Sequence, residues 1–239
     1  MKKFYEKSEI WFAVVWIIIY VVLTGNLRKN FGDDSIYTML GLLAVSAVLL
    51  VFIFKNKLGD KYGFVKVHNS KKYLYFLPIA VLCTLNLWCG AEMNYEPVNQ
   101  IVAVINMALV GLAEELIFRG LLFKAMEKTN VTSAIIVSAV TFGVGHIVNL
   151  FTGQAGLDTI LQVLYAIAFG FAFVMMFYRS GSMLPGIAAH ALIDITSKFR
   201  SADAETPAFN YFCSAFIIVV AGGYAFYLYK CLKSKAEQQ

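Results

Sequence analysis

Charged residues are scarce in this chain of 239 residues. They make up 15% of the sequence, against about 25% in an average soluble domain, whereas hydrophobic residues make up 59%. The hydrophobic residues stand in nearly uninterrupted blocks such as Ile10–Leu23, Tyr37–Phe54 and Ile160–Tyr178. Such blocks approach or reach the length that crosses ~30 Å of hydrocarbon. The composition therefore argues against a soluble domain and predicts an integral membrane protein.

Several signals of other protein classes are also missing. No long polar segment is left once the apolar blocks are assigned, so we expect a single membrane domain over residues 1–239. The four cysteines form no CxxC pair and give no indication of a redox compartment. No small-residue cleavage site follows the first apolar block, which favours a retained helix over a signal peptide. The basic residues form short loop clusters without a nucleic-acid-reading module, so no nucleic-acid partner is expected.

The apolar blocks predict an all-α membrane bundle of about eight transmembrane helices, because an open backbone has no hydrogen-bond partners in lipid. The N-terminal helices occupy about residues 10–91, and a core of about residues 98–199 contains the unusual polar residues described below. The predicted spans are 10–25, 36–54, 73–91, 98–123, 131–150, 157–178, 183–198 and 208–230.

Lysine and arginine are distributed unevenly between the two sides that these spans create. Of the 20 Lys and Arg residues, 15 fall on one side and four on the other, while Arg119 lies within a span. Cytoplasmic loops carry the excess of such residues, so both termini are predicted to be cytoplasmic. The largest basic cluster, in the loop 55–72, is expected to touch anionic lipid headgroups. The excess of Lys over Arg points to an AT-rich bacterial genome, so a bacterial plasma membrane is the expected location.

Three predicted spans contain polar residues that membrane helices normally avoid. A charge at the centre of such a helix costs about 3 kcal/mol on insertion scales, so these side chains should face each other in a shared interior pocket. They are Glu114, Glu115 and Arg119 in the fourth span, His146 in the fifth, and His190 and Asp194 in the seventh.

Helical spacing separates the roles of the charges. Glu115 and Arg119 are four residues apart, so they share a face and are predicted to form an ion pair. Glu114 points about 100° away from Glu115 and is the free carboxylate expected to face the pocket. His190 and Asp194 are also four apart, so the aspartate could orient the imidazole or join it in holding a metal.

His146 lies one helical turn after Phe142. Beside a desolvated glutamate, an imidazole is a candidate general base or metal ligand. Gly143 and Gly145 remove side chains around it, which would let a neighbouring helix or a substrate backbone approach.

Together, these three motifs resemble the CAAX-protease and bacteriocin-processing family of intramembrane proteases, also called the Abi family, and in particular its type 2 CAAX prenyl endopeptidases. The family pattern is EExxxR, FxxxH and HxxxN or HxxxD on separate membrane helices. The resemblance covers about residues 98–199 and implies an endopeptidase acting on a hydrophobic or lipidated peptide, for example a bacteriocin or signalling-peptide precursor. The motifs stand here as Glu114-Glu115…Arg119, Phe142…His146 and His190…Asp194.

The resemblance also implies roles for these residues. Glu114 and His146 would activate a water for attack on the scissile carbonyl, and His190 with Asp194 would stabilise the oxyanion. The supporting residues would be Glu115, Arg119 and Phe142.

One position departs from the prenyl-protein proteases of the family, which carry Asn where this chain has Asp194. An ionised aspartate would repel an oxyanion, so Asp194 would be protonated, orient His190 or help to bind a metal. We expect no cofactor; the alternative is a zinc ion held by Glu114, His146 and His190 with an open fourth position.

Two other functions fit intramembrane Glu and His residues. The first is a transporter or proton-coupled carrier, in which such residues relay protons. Transporters usually show internal repeats and broken helices, and neither is recognisable in this sequence. The second is a catalytically silent scaffold or immunity protein, but every motif position is filled by a chemically competent residue.

Overall fold

The computed structural model describes residues 1–66, 76–154, 156–201 and 206–236. The predicted start of the third span, at residue 73, and the end of the basic loop, residues 67–72, lie outside these ranges. Within them the chain is helical, apart from an isolated antiparallel bridge between Ala91 and Arg200. The predicted all-α class is therefore confirmed.

We number the helices α1 to α9 along the described residues. Two of them contain a π-helical segment: Glu115–Phe123 in α5 and Ile218–Gly222 in α9. A 3₁₀ segment, His146–Thr152, follows α6 directly. The helices are α1 (Lys2–Lys7), α2 (Glu9–Phe31), α3 (Ile36–Lys55), α4 (Leu77–Leu82), α5 (Pro97–Met126), α6 (Val131–Gly145), α7 (Gly156–Ser180), α8 (Leu184–Ser197) and α9 (Pro207–Ile217, continued through Gly223–Ala236).

Six of these helices are long and apolar enough to cross a membrane, namely α2, α3, α5, α6 with its 3₁₀ extension, α7 and α9. They coincide with six of the eight predicted spans. The third and seventh predicted spans correspond to shorter helices. Helix α4 has six residues and α8 has 14, and 14 residues extend only about 21 Å at 1.5 Å per residue. The count of eight spans therefore stays a prediction.

Polar contacts fix both ends of the short helix α8. At its start, the Met183 amide donates to the Gly63 carbonyl at 2.9 Å. At its end, Gln100 Nε2 donates to the Lys198 carbonyl at 3.0 Å, and Lys198 Nζ lies 2.6 Å from Asp33 Oδ2. Helix α8 thus runs from the loop that follows α3 to the turn that joins α2 and α3.

The basic residues that the sequence assigns to the two sides of the membrane lie at opposite ends of the bundle, and each group binds an acidic residue there. At one end, Glu9 pairs with Lys61 at 2.7 Å and with Lys128 at 2.8 Å. At the other end, Asp33 pairs with Arg28 at 2.5 Å and with Lys198. Burial disfavours ionisation of Asp33, but the two cations outweigh it and hold its pKa well below the usual value.

Helix α2 is apolar all round but has one inner face. Phe12, Trp16, Tyr20 and Thr24 are buried, and their spacing of four residues places them on one side of the helix. Val22 and other large apolar residues of α2 are exposed, as expected for side chains that face lipid. The buried stripe directs Tyr20 towards α5.

Helix α5 is the most buried of the six long helices. All nine residues of its π-helical segment, Glu115–Phe123, are buried. Segments of this kind are rare and often occur at functional sites. The segment begins between the two adjacent glutamates, so Glu114 ends regular α-helix and Glu115 starts the π-helix.

Glycines allow close helix crossings around α5 and α7. A Cβ atom on Gly111 would lie 2.8 Å from the Ala191 amide nitrogen of α8. A Cβ on Gly143 would lie 2.7 Å from the Ile167 amide nitrogen, and one on Gly170 would lie 2.7 Å from the Ala139 carbonyl oxygen. Close backbone approach of this type is a main source of helix association in membranes. The sequence predicts that Gly143 allows the approach of either a neighbouring helix or a substrate backbone. In the structure, helix α7 is what approaches it.

We expect Gly111→Ala to destabilise the protein because the added methyl group must push α8 away from α5. Overpacking of this kind costs about 1–3 kcal/mol. Gly223→Ala is the matched control, since nothing lies within 4 Å of a Cβ there. Thermal unfolding in detergent should show a lower melting temperature for the first variant only. Equal melting temperatures for both variants would contradict the close α5–α8 contact.

Candidate active site

Glu114 has one engaged and one open carboxylate oxygen. The Tyr20 hydroxyl donates to Oε1 at 2.8 Å. Oε2 is buried and has no hydrogen-bond partner among the described residues, although His190 Nε2 lies 3.5 Å away. Glu114 thus keeps one carboxylate oxygen without a hydrogen bond to the described part of the chain, and its predicted role in catalysis stays a prediction.

Glu115 has the opposite character, because it is committed to two partners. Its Oε1 lies 3.0 Å from Arg119 Nη1 and 2.9 Å from His190 Nδ1. The Arg119 side chain is completely buried, and Glu115 is 1% exposed. The structure therefore brings together the predicted ion pair and extends it to His190.

Aromatic rings enclose these charged groups. The Arg119 guanidinium carbon lies 4.2 Å from the centre of the Phe142 ring, a favourable cation–π distance. The His190 ring stacks on Phe173 with ring centres 5.1 Å apart, and it packs edge-to-face with Phe142 with ring centres 5.5 Å apart. These contacts fix the plane of the imidazole, so that its Nε2 atom faces Glu114.

Asp194 approaches His190 from the next turn of α8. Its Oδ2 lies 3.5 Å from His190 Nε2, the same nitrogen that faces Glu114. The Asp194 side chain is 26% exposed, so it is the most open of the acidic groups around this imidazole. His190 Nε2 therefore lies between two carboxylates.

His146 joins the group through an aromatic contact. It is the first residue of the 3₁₀ segment after α6, and its ring packs edge-to-face with Phe142 with ring centres 5.4 Å apart. Phe142 thus contacts both histidines as well as Arg119. The fixed spacing of FxxxH has a plain geometric basis, because the two rings are one turn apart on the same face.

One cavity of about 650 Å³ connects these side chains. The volume falls within the usual range for ligand sites. Its wall also includes residues from α2 and α9, so the space is formed by the whole bundle. Among the titratable groups that line it are Tyr20, Glu114, His146, His190 and Asp194.

The zinc alternative requires three converging ligands. His190 Nδ1 is occupied by Glu115, and its Nε2 faces two carboxylates. In the part of the chain that the structure describes, no three His, Cys, Asp or Glu side chains are grouped so that they could hold a metal ion. The side chains of Glu114, His146 and His190 as placed do not fit a zinc site.

Comparison with known families assigns the central segment. Residues 97–196 match the family described as type II CAAX prenyl endopeptidase Rce1-like. Over this segment the chain is similar to the CAAX protease family. The match confirms the resemblance that the three motifs indicated. No curated protein matched the chain.

Similarity to the CAAX protease family gives the long apolar helices a functional context. It implies a protease of the intramembrane type, and the six apolar helices make this chain a multi-pass membrane protein. The family also implies a peptide or prenylated protein as substrate. It offers no support for bacteriocin processing, which stays a prediction.

Two side chains of this site escaped sequence reasoning. Tyr20 lies in α2, far from the three motifs, although its position four residues before Thr24 on an apolar helix was a readable signal. Phe173 lies in α7, in a span that looked purely apolar, and nothing in the local sequence distinguishes it from its neighbours.

We expect Glu115→Gln to destabilise the protein far more than Glu114→Gln. Breaking a buried ion pair leaves an uncompensated charge and costs about 3–5 kcal/mol, whereas a glutamine at position 114 can still accept the Tyr20 hydrogen bond. Thermal unfolding of both variants in one detergent is the measurement. Similar losses of stability would show that the two adjacent glutamates do not differ as their contacts indicate.

Proposed function

We propose that this protein is an intramembrane endopeptidase that hydrolyses a peptide bond in a hydrophobic or lipidated substrate, with Glu114 as the base that activates water. The observation that supports the proposal is the open Oε2 atom of Glu114. It is buried, lacks a hydrogen-bond partner among the described residues and lies beside His190 Nε2 at the wall of the cavity.

In the proposed reaction, Glu114 removes a proton from a water molecule while the water oxygen attacks the scissile carbonyl carbon. The carbonyl oxygen gains negative charge in the tetrahedral intermediate. The proton on Glu114 then passes to the amide nitrogen, the C–N bond breaks, and an acid and an amine are released. A positioned general base of this kind contributes about 10²- to 10⁴-fold to the rate.

His190 is proposed to stabilise the oxyanion through Nε2–H. Its Nδ1 atom is held by Glu115, so the ring cannot turn without breaking a buried hydrogen bond. Asp194 lies near the same Nε2 atom and is proposed to stabilise positive charge on the imidazole and to orient it. This proposed role assigns Asp194 to the imidazole and not to the oxyanion, so an ionised aspartate is compatible with it.

His146 is proposed to share the proton with Glu114 during water activation. It lines the same cavity, and its ring is held against Phe142. Glu115, Arg119 and Phe142 are proposed to support the site by neutralising charge and fixing both imidazoles.

The chain is further proposed to cross the membrane eight times, with both termini in the cytoplasm. Helix α8 joins the end of the bundle near Gly63 to the end near Asp33, so the chain changes ends there although the helix is short. The shared contact of Lys61 and Lys128 with Glu9 supports one predominantly basic, cytoplasmic end. The proposed location is the bacterial plasma membrane.

Three substitutions test the site: Glu114→Gln, His146→Ala and His190→Ala. Each should lower the cleavage rate by about 100-fold or more, because each removes a group used in proton transfer or oxyanion stabilisation. The assay uses purified protein in liposomes and a quenched fluorescent peptide that ends in a prenylated Cys-aliphatic-aliphatic-X sequence. An apolar peptide without the prenyl group tests whether the lipid is required.

Glu96→Gln is the control for these substitutions, since Glu96 is exposed and precedes the first turn of α5. It should cleave at the wild-type rate. Folded site variants that cleave as fast as this control would refute the assigned residues. A wild-type protein that cuts neither peptide but carries protons or solute across the liposome membrane would instead support the carrier.

We expect cleavage to persist within about twofold in 1,10-phenanthroline, because a glutamate base needs no metal to activate water. The rate is measured before and after prolonged incubation with the chelator. Loss of activity that added zinc restores, but magnesium does not, would favour the zinc alternative.

A further inference from the structure

Tyr20 lies outside the family-matched segment, 97–196, yet it contacts the open carboxylate of the site. Its hydroxyl donates to Glu114 Oε1 at 2.8 Å, and the residue is only 4% exposed. A buried phenol needs a partner for its hydroxyl. A carboxylate also gains more from such a bond than a neutral acceptor does.

The hydrogen bond determines which glutamate oxygen stays available. The terminal torsion of a glutamate side chain is broad and does not fix the carboxylate plane by itself. With Oε1 engaged by Tyr20, Oε2 is the oxygen that faces His190 Nε2, 3.5 Å away. Without the phenol, the carboxylate could rotate and turn either oxygen away from the cavity.

Helix α2 holds the phenol in a defined place. The Thr24 hydroxyl donates to the Tyr20 carbonyl at 2.7 Å. Eight residues after Tyr20, on the same face, Arg28 is bound to Asp33. Trp16, one turn before Tyr20, is buried on that face as well. The position of the hydroxyl therefore follows from the packing of the whole helix.

We infer that Tyr20 is a positioning residue of the active site, which orients the Glu114 carboxylate so that Oε2 meets the attacking water. The inference rests on the proposed role of Glu114 as the base. It assigns to the N-terminal part of the chain a contribution to catalysis that the family-matched segment does not contain.

Tyr20→Phe tests this inference, because it removes one oxygen atom and keeps the ring. We expect kcat to fall about tenfold or more, since small errors in the placement of a catalytic group are costly. We expect KM to change less than about twofold, because Tyr20 acts on Glu114 and not on the substrate. Both constants are measured in liposomes with the quenched prenylated peptide and are expressed per folded molecule.

Tyr62→Phe is the matched control. Tyr62 is also buried, and its hydroxyl donates to Tyr5 at 3.0 Å near the opposite end of α2. The control also loses a buried phenol hydrogen bond, here to a neutral acceptor and away from the cavity. It should keep the wild-type kcat, whereas a general effect of losing a buried phenol would lower kcat in both variants and overturn the inference.

A second substitution, Glu114→Asp, tests whether Tyr20 acts through Glu114. The shorter side chain withdraws the carboxylate from the phenol, so Tyr20→Phe should change kcat less than about twofold in the Glu114→Asp background. Independent effects, in which the two fold-changes multiply, would overturn the inference. So would a wild-type kcat in Tyr20→Phe, or a change in KM alone.

Wild-type protein is measured first, which separates the two proposals. An inactive wild type under these conditions counts against the proposed function. An active wild type with an equally active Tyr20→Phe variant leaves the protease intact and removes Tyr20 from its machinery.

Discussion

The buried positive charge of Arg119 is the constraint around which the site is organised. A guanidinium with no exposed surface is tolerated only when charges and hydrogen bonds compensate it. Glu115 supplies the opposite charge, and the Phe142 ring covers the guanidinium face. Because Glu115 also accepts from His190, the group that neutralises Arg119 sets the orientation of the imidazole. The same residue, Glu115, therefore both neutralises the buried Arg119 and orients the His190 ring.

The adjacent glutamates show how the fold assigns different roles to identical side chains. Glu115 enters the π-helical segment and faces a cation, whereas Glu114 ends the α-helix and faces a phenol and the cavity. The first is fully compensated and the second retains an open oxygen. Helical spacing distinguishes the two glutamates, because the residue four positions after Glu115 is the cation Arg119, whereas the residue four positions after Glu114 is Phe118.

Sequence reasoning succeeded where the signal was local or costly in lipid. The pair Glu115 and Arg119 and the pair His190 and Asp194 follow from spacing along single helices, and the expense of membrane charges predicts that they meet. It failed where distant packing decides, as for the stacking of Phe173 on His190. The count of eight spans stays a prediction, because α4 and α8 are too short to be identified as membrane spans by length alone.

Helix α2 connects the site to the edge of the bundle through one continuous face. Tyr20, Thr24 and Arg28 follow each other at intervals of four residues, from the Glu114 carboxylate to the ion pair with Asp33. The opposite face of this helix is exposed, as at Val22. Tilting is one way in which a helix in contact with lipid accommodates a change in hydrocarbon thickness, and a rigid helix transmits the tilt along its length. A change in the tilt of α2 would therefore shift the Tyr20 hydroxyl relative to the Glu114 carboxylate in the interior of the bundle.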